Sequence, residues 1–143
     1  MTSPQAIPGG STMTNRQLIS PPTLHPAPGF SHIAVVQSTR IAYLAGQIAL
    51  DAEGNIIGGD DLYVQTVAAM KNVEIALATI GADWSQVVRR TIYTTRPTEK
   101  EAIAAAIAEV QGSEENPAQT IVGITGLVIP GLLIEIETTV ALP

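Results

Sequence analysis

Residues 132–142 read Leu-Leu-Ile-Glu-Ile-Glu-Thr-Thr-Val-Ala-Leu, and the alternation in the middle of that run reads as a β-strand. Side chains alternate along a strand, so Ile134 and Ile136 share one face while Glu135 and Glu137 share the other. At a rise of about 3.3 Å per residue the two Glu Cα atoms lie roughly 6.6 Å apart, within reach of one charge raising the other's pKa. The run therefore demands a sheet with one buried side and a carboxylate pair on the opposite side. Such a strand walls either an active site or an interface.

The rest of the chain supplies the partners for that strand. Residues 33–37 and 41–48 are short apolar runs separated by Ser38-Thr39-Arg40, and together they read as a hairpin. Asp60 or Asp61 caps a helix running to about Ile80, with Val64, Val67, Ala68, Val73, Ala76, Leu77 and Ile80 on its apolar side and Gly81 as its stop. Residues 87–95 are rich in β-branched side chains and form a strand, which puts Arg89 and Arg90 on opposite faces and sends one of them to solvent or to a carboxylate. Pro97 suits the first turn of a second helix that continues through residues 99–110, followed by an exit loop over 112–117. Residues 119–126 and 132–142 close the chain as strands linked by a Pro130-Gly131 turn. The order is ββαβαββ, an α+β domain with two helices packed on one face of a small sheet. Val122, Ile124, Ile134, Ile136 and Val140 are expected beneath the helices. The odd-numbered set, Gln119, Ile121, Gly123 and Thr125 with Leu133, Glu135, Glu137 and Thr139, is expected on the other face. Its mixture suits sheets of several subunits meeting around polar pockets, or a merely solvated face.

At 143 residues the chain suits one domain. Four prolines between Ser20 and Gly29 favour an extended lead-in, so residues 1–29 are expected to be a flexible N-terminal extension and 30–143 the single domain. A net charge of -6 and only 3% aromatic residues argue against nucleic acid as a partner. The absence of cysteine excludes disulfides, thiolate nucleophiles and Cys-ligated metals. No apolar run reaches the 18 or so residues of a membrane span, and Met1 to Ser11 lacks the basic start and apolar stretch of a signal peptide. A cytoplasmic protein is expected. Residues 51–60 superficially suggest a calcium loop, but Ile56 and Leu62 stand where an EF-hand needs Gly and Glu, leaving a glycine-rich turn. His25 and His32 form no metal spacing, and Ser31, Thr94, Thr95 and Thr120 belong to no Ser-His-acid arrangement. Trp84 reads as an anchor packing the corner at Gly81.

Ala45-Gly46-Gln47-Ile48, the two helices, Asn116-Pro117-Ala118-Gln119-Thr120 and Leu133-Ile134-Glu135-Ile136-Glu137 resemble, in that order, the Rid (reactive intermediate deaminase; YjgF or L-PSP) family. The resemblance covers about residues 31–142. It implies a chorismate-mutase-like fold assembled as a homotrimer, with ligand clefts between subunits. It also implies hydrolysis of enamines and imines such as 2-aminoacrylate to 2-keto acids and ammonia, with no metal or organic cofactor. Carried over by position, Glu135 matches the glutamate that orients water, Gly46 matches the pocket glycine beside Ala45, and Phe30 stands where the family has a Tyr. The arginine of the family's Pro-Ala-Arg-Ser/Thr motif, which holds the substrate carboxylate, is Gln119 here. A guanidinium offers a permanent charge and a planar fork, whereas Gln offers a neutral amide that can both donate and accept.

Glu135 is accordingly a general base or water positioner, or else an interface carboxylate paired with Arg89 or Arg90 across the trimer. Gln119 is a ligand contact, or an amide satisfying backbone at a strand start. Phe30 lines the cleft or the core. Three functions follow: a hydrolase of the enamine or imine type with altered substrate preference, a non-catalytic trimer binding a small metabolite, or a ribonuclease. The acidic charge, scarce aromatics and lack of a His pair weigh against the last.

Overall fold

The computed structural model describes residues 15–143. Its elements are β1 (Arg16–Ile19), β2 (Ile33–Val36), β3 (Arg40–Ile48), α1 (Leu62–Thr79), a 3-10 turn (Trp84–Gln86), β4 (Val87–Thr94), α2 (Lys100–Gln111), β5 (Ala118–Gly123) and β6 (Ile134–Leu142). Strands β3, β6, β4 and β5 form a mixed sheet in that order, and β1 pairs with β2 in a separate two-stranded sheet.

The helices begin and end where local chemistry requires. The Asp61 carboxylate accepts the Val64 N–H at 3.0 Å and caps α1, and Gly81 follows it with φ of 71°. Gly112, at φ of 72°, returns its N–H to the Ala108 carbonyl and ends α2. In the 51–60 turn the Asp51 carboxylate accepts the N–H groups of Glu53 and Asn55, which satisfies the turn internally and holds its pKa below the ordinary Asp value. Met70, Val73 and Leu77 of α1 and Ile103 and Ile107 of α2 pack on Ile92, Ile134, Ile136 and Val140 of the sheet, with Trp84 alongside.

Three expectations need correction. First, β2 and β3 are not a hairpin: β2 pairs with β1, while β3 runs antiparallel to β6. Both β3 and β6 are nine residues long, so each finds in the other a partner of matching length that no neighbouring segment offers. Second, the extension expected over 1–29 contains β1. Its residues 1–14 lie outside the described residues, but Arg16 is buried and donates to the carbonyls of Val87 and Glu115, which fastens this segment to β4 and the loop before β5. Third, β5 is not a hairpin partner of β6. It pairs parallel to β4 at the sheet edge, and β4 separates it from β6. Parity therefore does not carry across the Pro130-Gly131 turn. Ile134, Ile136 and Val140 are under the helices as expected, but on β5 it is Ile121, not Val122, that packs against the core.

Candidate functional site on two faces of the sheet

The side chains that the sequence singles out fall into two groups. On the face away from the helices, Glu135 stands beside Tyr93 on β4 and Ile48 on β3. The β3 ladder breaks between Leu44 and Gln47, and Ala45 and Gly46 occupy that irregularity. A Cβ built on Gly46 would lie 2.0 Å from Glu135 Oε2 and 2.6 Å from its Cδ, so the carboxylate fills the space that only glycine leaves. The carbonyl of Ala45 accepts the Gln47 side-chain amide at 3.1 Å. This face also carries several polar groups in mutual contact. Tyr93 donates its hydroxyl to Glu137 at 3.3 Å, and Arg89 donates to the Thr120 hydroxyl at 2.7 Å. The charge of Glu137 is the main cause, with Glu135 contributing, that raises the Tyr93 pKa; Arg89 pulls the other way. Tyr43, on the same face opposite Thr139, is 80% exposed.

The second group lies on the helix-packed side. Gln119 is the register partner of Arg90, and Arg90 faces Thr138 across β6, so Gln119 shares a face with Thr138 and Ile136 rather than with Glu135. The expectation that Gln119 and Glu135 share a face is thus overturned, because β5 pairs with β4 in parallel register. Arg89 and Arg90 diverge as alternation requires, and within one chain their hydrogen-bond partners are Thr120 for Arg89 and three amides for Arg90. Arg89 is exposed, and Arg90 is completely buried.

Arg90 sits in a cage of amides. Its Nε donates to Gln119 Oε1 at 2.8 Å, Nη1 to Gln111 Oε1 at 3.0 Å and Nη2 to Asn116 Oδ1 at 3.0 Å. Burial first, then the neighbouring Arg16 charge, lowers its pKa to about 9, which leaves it protonated at neutral pH. The Thr138 hydroxyl beside it is buried and has no partner among the described residues. The loop before β2, which carries Phe30, approaches this group through Gly29 and Ser31. Ser31 anchors the loop, its N–H donating to the Pro117 carbonyl at 3.0 Å and its hydroxyl to the Asn116 carbonyl at 2.7 Å. Gln119 Nε2 faces the carbonyl of Gly29 at 3.5 Å. The rings of His25 and His32 flank Phe30 at centroid distances of 6.2 and 5.2 Å, and His32 Nε2 donates to the His25 carbonyl.

The structure therefore brings Glu135, Gly46 and Ala45 together, and separately brings Gln119 to the Gly29 carbonyl in the loop that carries Phe30. Sequence reasoning did not single out Arg90 or Tyr93 as site residues. The Arg89-Arg90 doublet signalled that one arginine turns inward, but the three amides around it come from the end of α2, the α2–β5 connection and β5 and carry no common spacing. Among the described residues no group of His, Asp or Glu could hold a metal ion, and no helix is long and apolar enough to cross a membrane.

A family model described as Endoribonuclease L-PSP matches residues 22–142. The chain belongs to the Rid (YjgF/L-PSP) family. This Rid protein is 37% identical to the YyfB Rid protein of unknown function from Yersinia pestis, covering 90% of this chain and all of that one, with a TM-score of 0.85. A YjgF/YER057c/UK114 family member from Mycobacterium tuberculosis is 28% identical, with a TM-score of 0.61 over 89% of this chain and 99% of that one. A RutC family protein of Synechocystis is 27% identical over 119 residues, 82% of this chain and 91% of that protein. The α+β chorismate-mutase-like fold, two helices on a mixed sheet, is common to the Rid structures.

Proposed function

We propose that this Rid protein is a cytoplasmic hydrolase of the enamine and imine type, acting in clefts between the subunits of a homotrimer. The observation that carries the reading is the Glu135 carboxylate seated in the space left by Gly46, which fixes an acid or base on the sheet face away from the helices. In the reaction, Glu135 takes a proton from water as its oxygen attacks the C=N carbon. It returns that proton to nitrogen to give a carbinolamine, then carries the proton of the new hydroxyl to the same nitrogen as C=O forms and the C–N bond breaks, so that ketone and ammonia leave. The backbone at Ala45 and Gly46 offers polar atoms to the substrate. Gln119 lies on the opposite face of the same sheet, so a cleft containing both side chains takes Glu135 from one chain and Gln119 from a neighbour. The exposure of Tyr43 on the Glu135 face agrees with a surface that a second subunit covers.

Substrate preference differs from the family pattern because the carboxylate-binding arginine is Gln119. Charge-assisted hydrogen bonds contribute roughly 1.5–3 kcal/mol against about 1 for a neutral one, so the change weakens capture of an acidic substrate by about tenfold or more. The test is release of keto acid and ammonia from freshly generated 2-aminoacrylate by the natural protein and by Glu135→Ala and Gln119→Arg. Turnover lost in Glu135→Ala supports the reading, and turnover unchanged in Glu135→Ala sinks it. A second reading, a trimer that binds a metabolite without converting it, is favoured by the commitment of Gln119 to Arg90. Saturable binding without turnover of any imine would select it.

A further inference from the structure

We infer that Arg90 is a positioning residue that turns Gln119 into a one-way hydrogen-bond donor, so that the ligand meets β5 with an accepting oxygen, a carboxylate or a carbonyl, and not with a donor group. The inference rests on the proposed site only for where the ligand lies.

A guanidinium donates and never accepts. Each amide in contact with it must therefore present oxygen, and the orientations of Gln111, Asn116 and Gln119 are all fixed by Arg90. What remains of each amide is its NH2 group, and here the three differ. Gln111 Nε2 donates to the Ser113 carbonyl at 3.0 Å and to Asn116 Oδ1 at 3.1 Å. Asn116 Nδ2 donates to the Glu114 carbonyl at 3.2 Å. Among the described residues Gln119 Nε2 has only the Gly29 carbonyl at 3.5 Å, the limit of a hydrogen bond. Its donor capacity is largely unspent and partly exposed.

Charge sharpens that donor. Arg90 is buried among amide oxygens with no carboxylate among its hydrogen-bond partners, and its cation pulls electron density through the Gln119 oxygen, strengthening the N–H groups at the far end of the same amide. The positive charge that the family holds at position 119 is thus present one strand away, at the register partner of that position, and reaches the ligand through an amide. A neutral glutamine free to flip would accept as readily as donate. This one cannot, because flipping would set NH2 against a guanidinium.

Gln119→Glu is the decisive variant. It is nearly isosteric, it keeps an oxygen on Arg90, and it deletes the donor. In the 15N-labelled full chain, the Gln119 side-chain amide resonance, identified by its disappearance in Gln119→Glu, is followed during titration with pyruvate and with pyruvamide. A saturable shift with at least one of them is expected. A shift with pyruvate alone assigns the oxygen to a carboxylate, and a shift with pyruvamide as well assigns it to a carbonyl. Gln119→Glu, with melting temperature no lower than the natural protein, is expected to weaken that binding at least tenfold, as is Gln119→Met, which lacks both donor and acceptor. Arg90→Lys, which keeps the charge but cannot grip all three amides, is expected to weaken binding while leaving the shifts of the Glu135 backbone intact. A silent Gln119 resonance with both ligands, or Gln119→Glu binding as the natural protein does, overturns the inference. Binding that behaves as expected without turnover leaves the inference standing and removes the hydrolase reading.

Discussion

Gly46→Ala isolates the contact on which the proposed chemistry depends. Gly46 does not have a positive φ, so alanine meets no backbone penalty there and the whole effect is steric. Its new Cβ would stand 2.0 Å from Glu135 Oε2, 2.6 Å from Cδ and 2.7 Å from Cγ, and ordinary contact begins at 3.4 Å. The carboxylate must therefore retreat by about 1.4 Å, and the short distance to Cγ means that rotating the tip alone does not suffice. A misplacement of about 1 Å in a positioned group costs roughly 10²-fold in rate, so kcat on a competent imine is expected to fall by about that factor. Stability should fall by about 1–3 kcal/mol, as for an extra carbon forced into a packed site. Removing the obstacle gives the control: in Gly46→Ala/Glu135→Ala the stability lost on inserting the methyl should largely return, a coupling that a double-mutant cycle in urea measures directly. Ammonia release and urea melts on the four proteins are the assays. A Gly46→Ala protein turning over within twofold of the natural one would refute the reasoning, because it would show that Glu135 need not occupy this position.

Other consequences follow from the two faces. If each cleft takes Glu135 from one chain and Gln119 from the next, then Glu135→Ala and Gln119→Glu chains, each impaired alone, should regain ammonia release when refolded together; no recovery in verified mixed trimers would put both residues in one chain's site. Arg90→Met strands amide oxygens around a buried hydrocarbon chain and should cost about 1–3 kcal/mol in urea unfolding, with an unchanged midpoint counting against the cage as a structural element. Tyr93 binds its phenolic proton more tightly folded than unfolded, so its contribution to stability is present below the ordinary tyrosine pKa and is lost as pH rises through the higher folded value. Glu137→Gln should bring the Tyr93 ionisation, read by phenolate absorbance, back down in pH. Asp61→Ala removes the cap of α1 and should lower stability by about 1 kcal/mol.

What the sequence made legible was local. The alternation through residues 132–142 put Ile134 and Ile136 inside and Glu135 outside, and Asp61 and Gly112 mark helix ends because capping involves only nearby residues. The pairing of β3 with β6, and of β5 with β4, involves partners far apart in the chain, and no pattern within either strand names its neighbour. The error over Gln119 came from that gap. Its parity was correct within β5, but the face assigned to that parity assumed a hairpin with β6. Arg90 was half legible: alternation required one arginine of the doublet to turn inward, while the chemistry of its reception, three amides and no acid, exists only after α2 and its exit loop fold back over β4.

That distinction changes what the substitution at position 119 means. Considered alone, glutamine in place of arginine is a loss of charge from a binding site. Beside Arg90 it becomes a relocation, since the cation remains at the adjacent position of the adjacent strand and glutamine is the spacer that conveys it. An alanine or leucine at 119 would have left Arg90 short of a partner and the surface without a donor, and a second arginine there would have set two buried cations side by side. Glutamate would have neutralised the charge altogether. Among common side chains of this length, glutamine alone both satisfies the buried guanidinium and passes a donor outward. Gln119→Arg therefore does not simply restore the family's carboxylate grip: the new guanidinium would face Arg90 across the strand pair, and its gain in ligand charge would be set against repulsion within the cage. A Gln119→Arg/Arg90→Gln exchange, which moves the charge back without doubling it, is the cleaner restoration, and it should capture an acidic imine more tightly than Gln119→Arg alone.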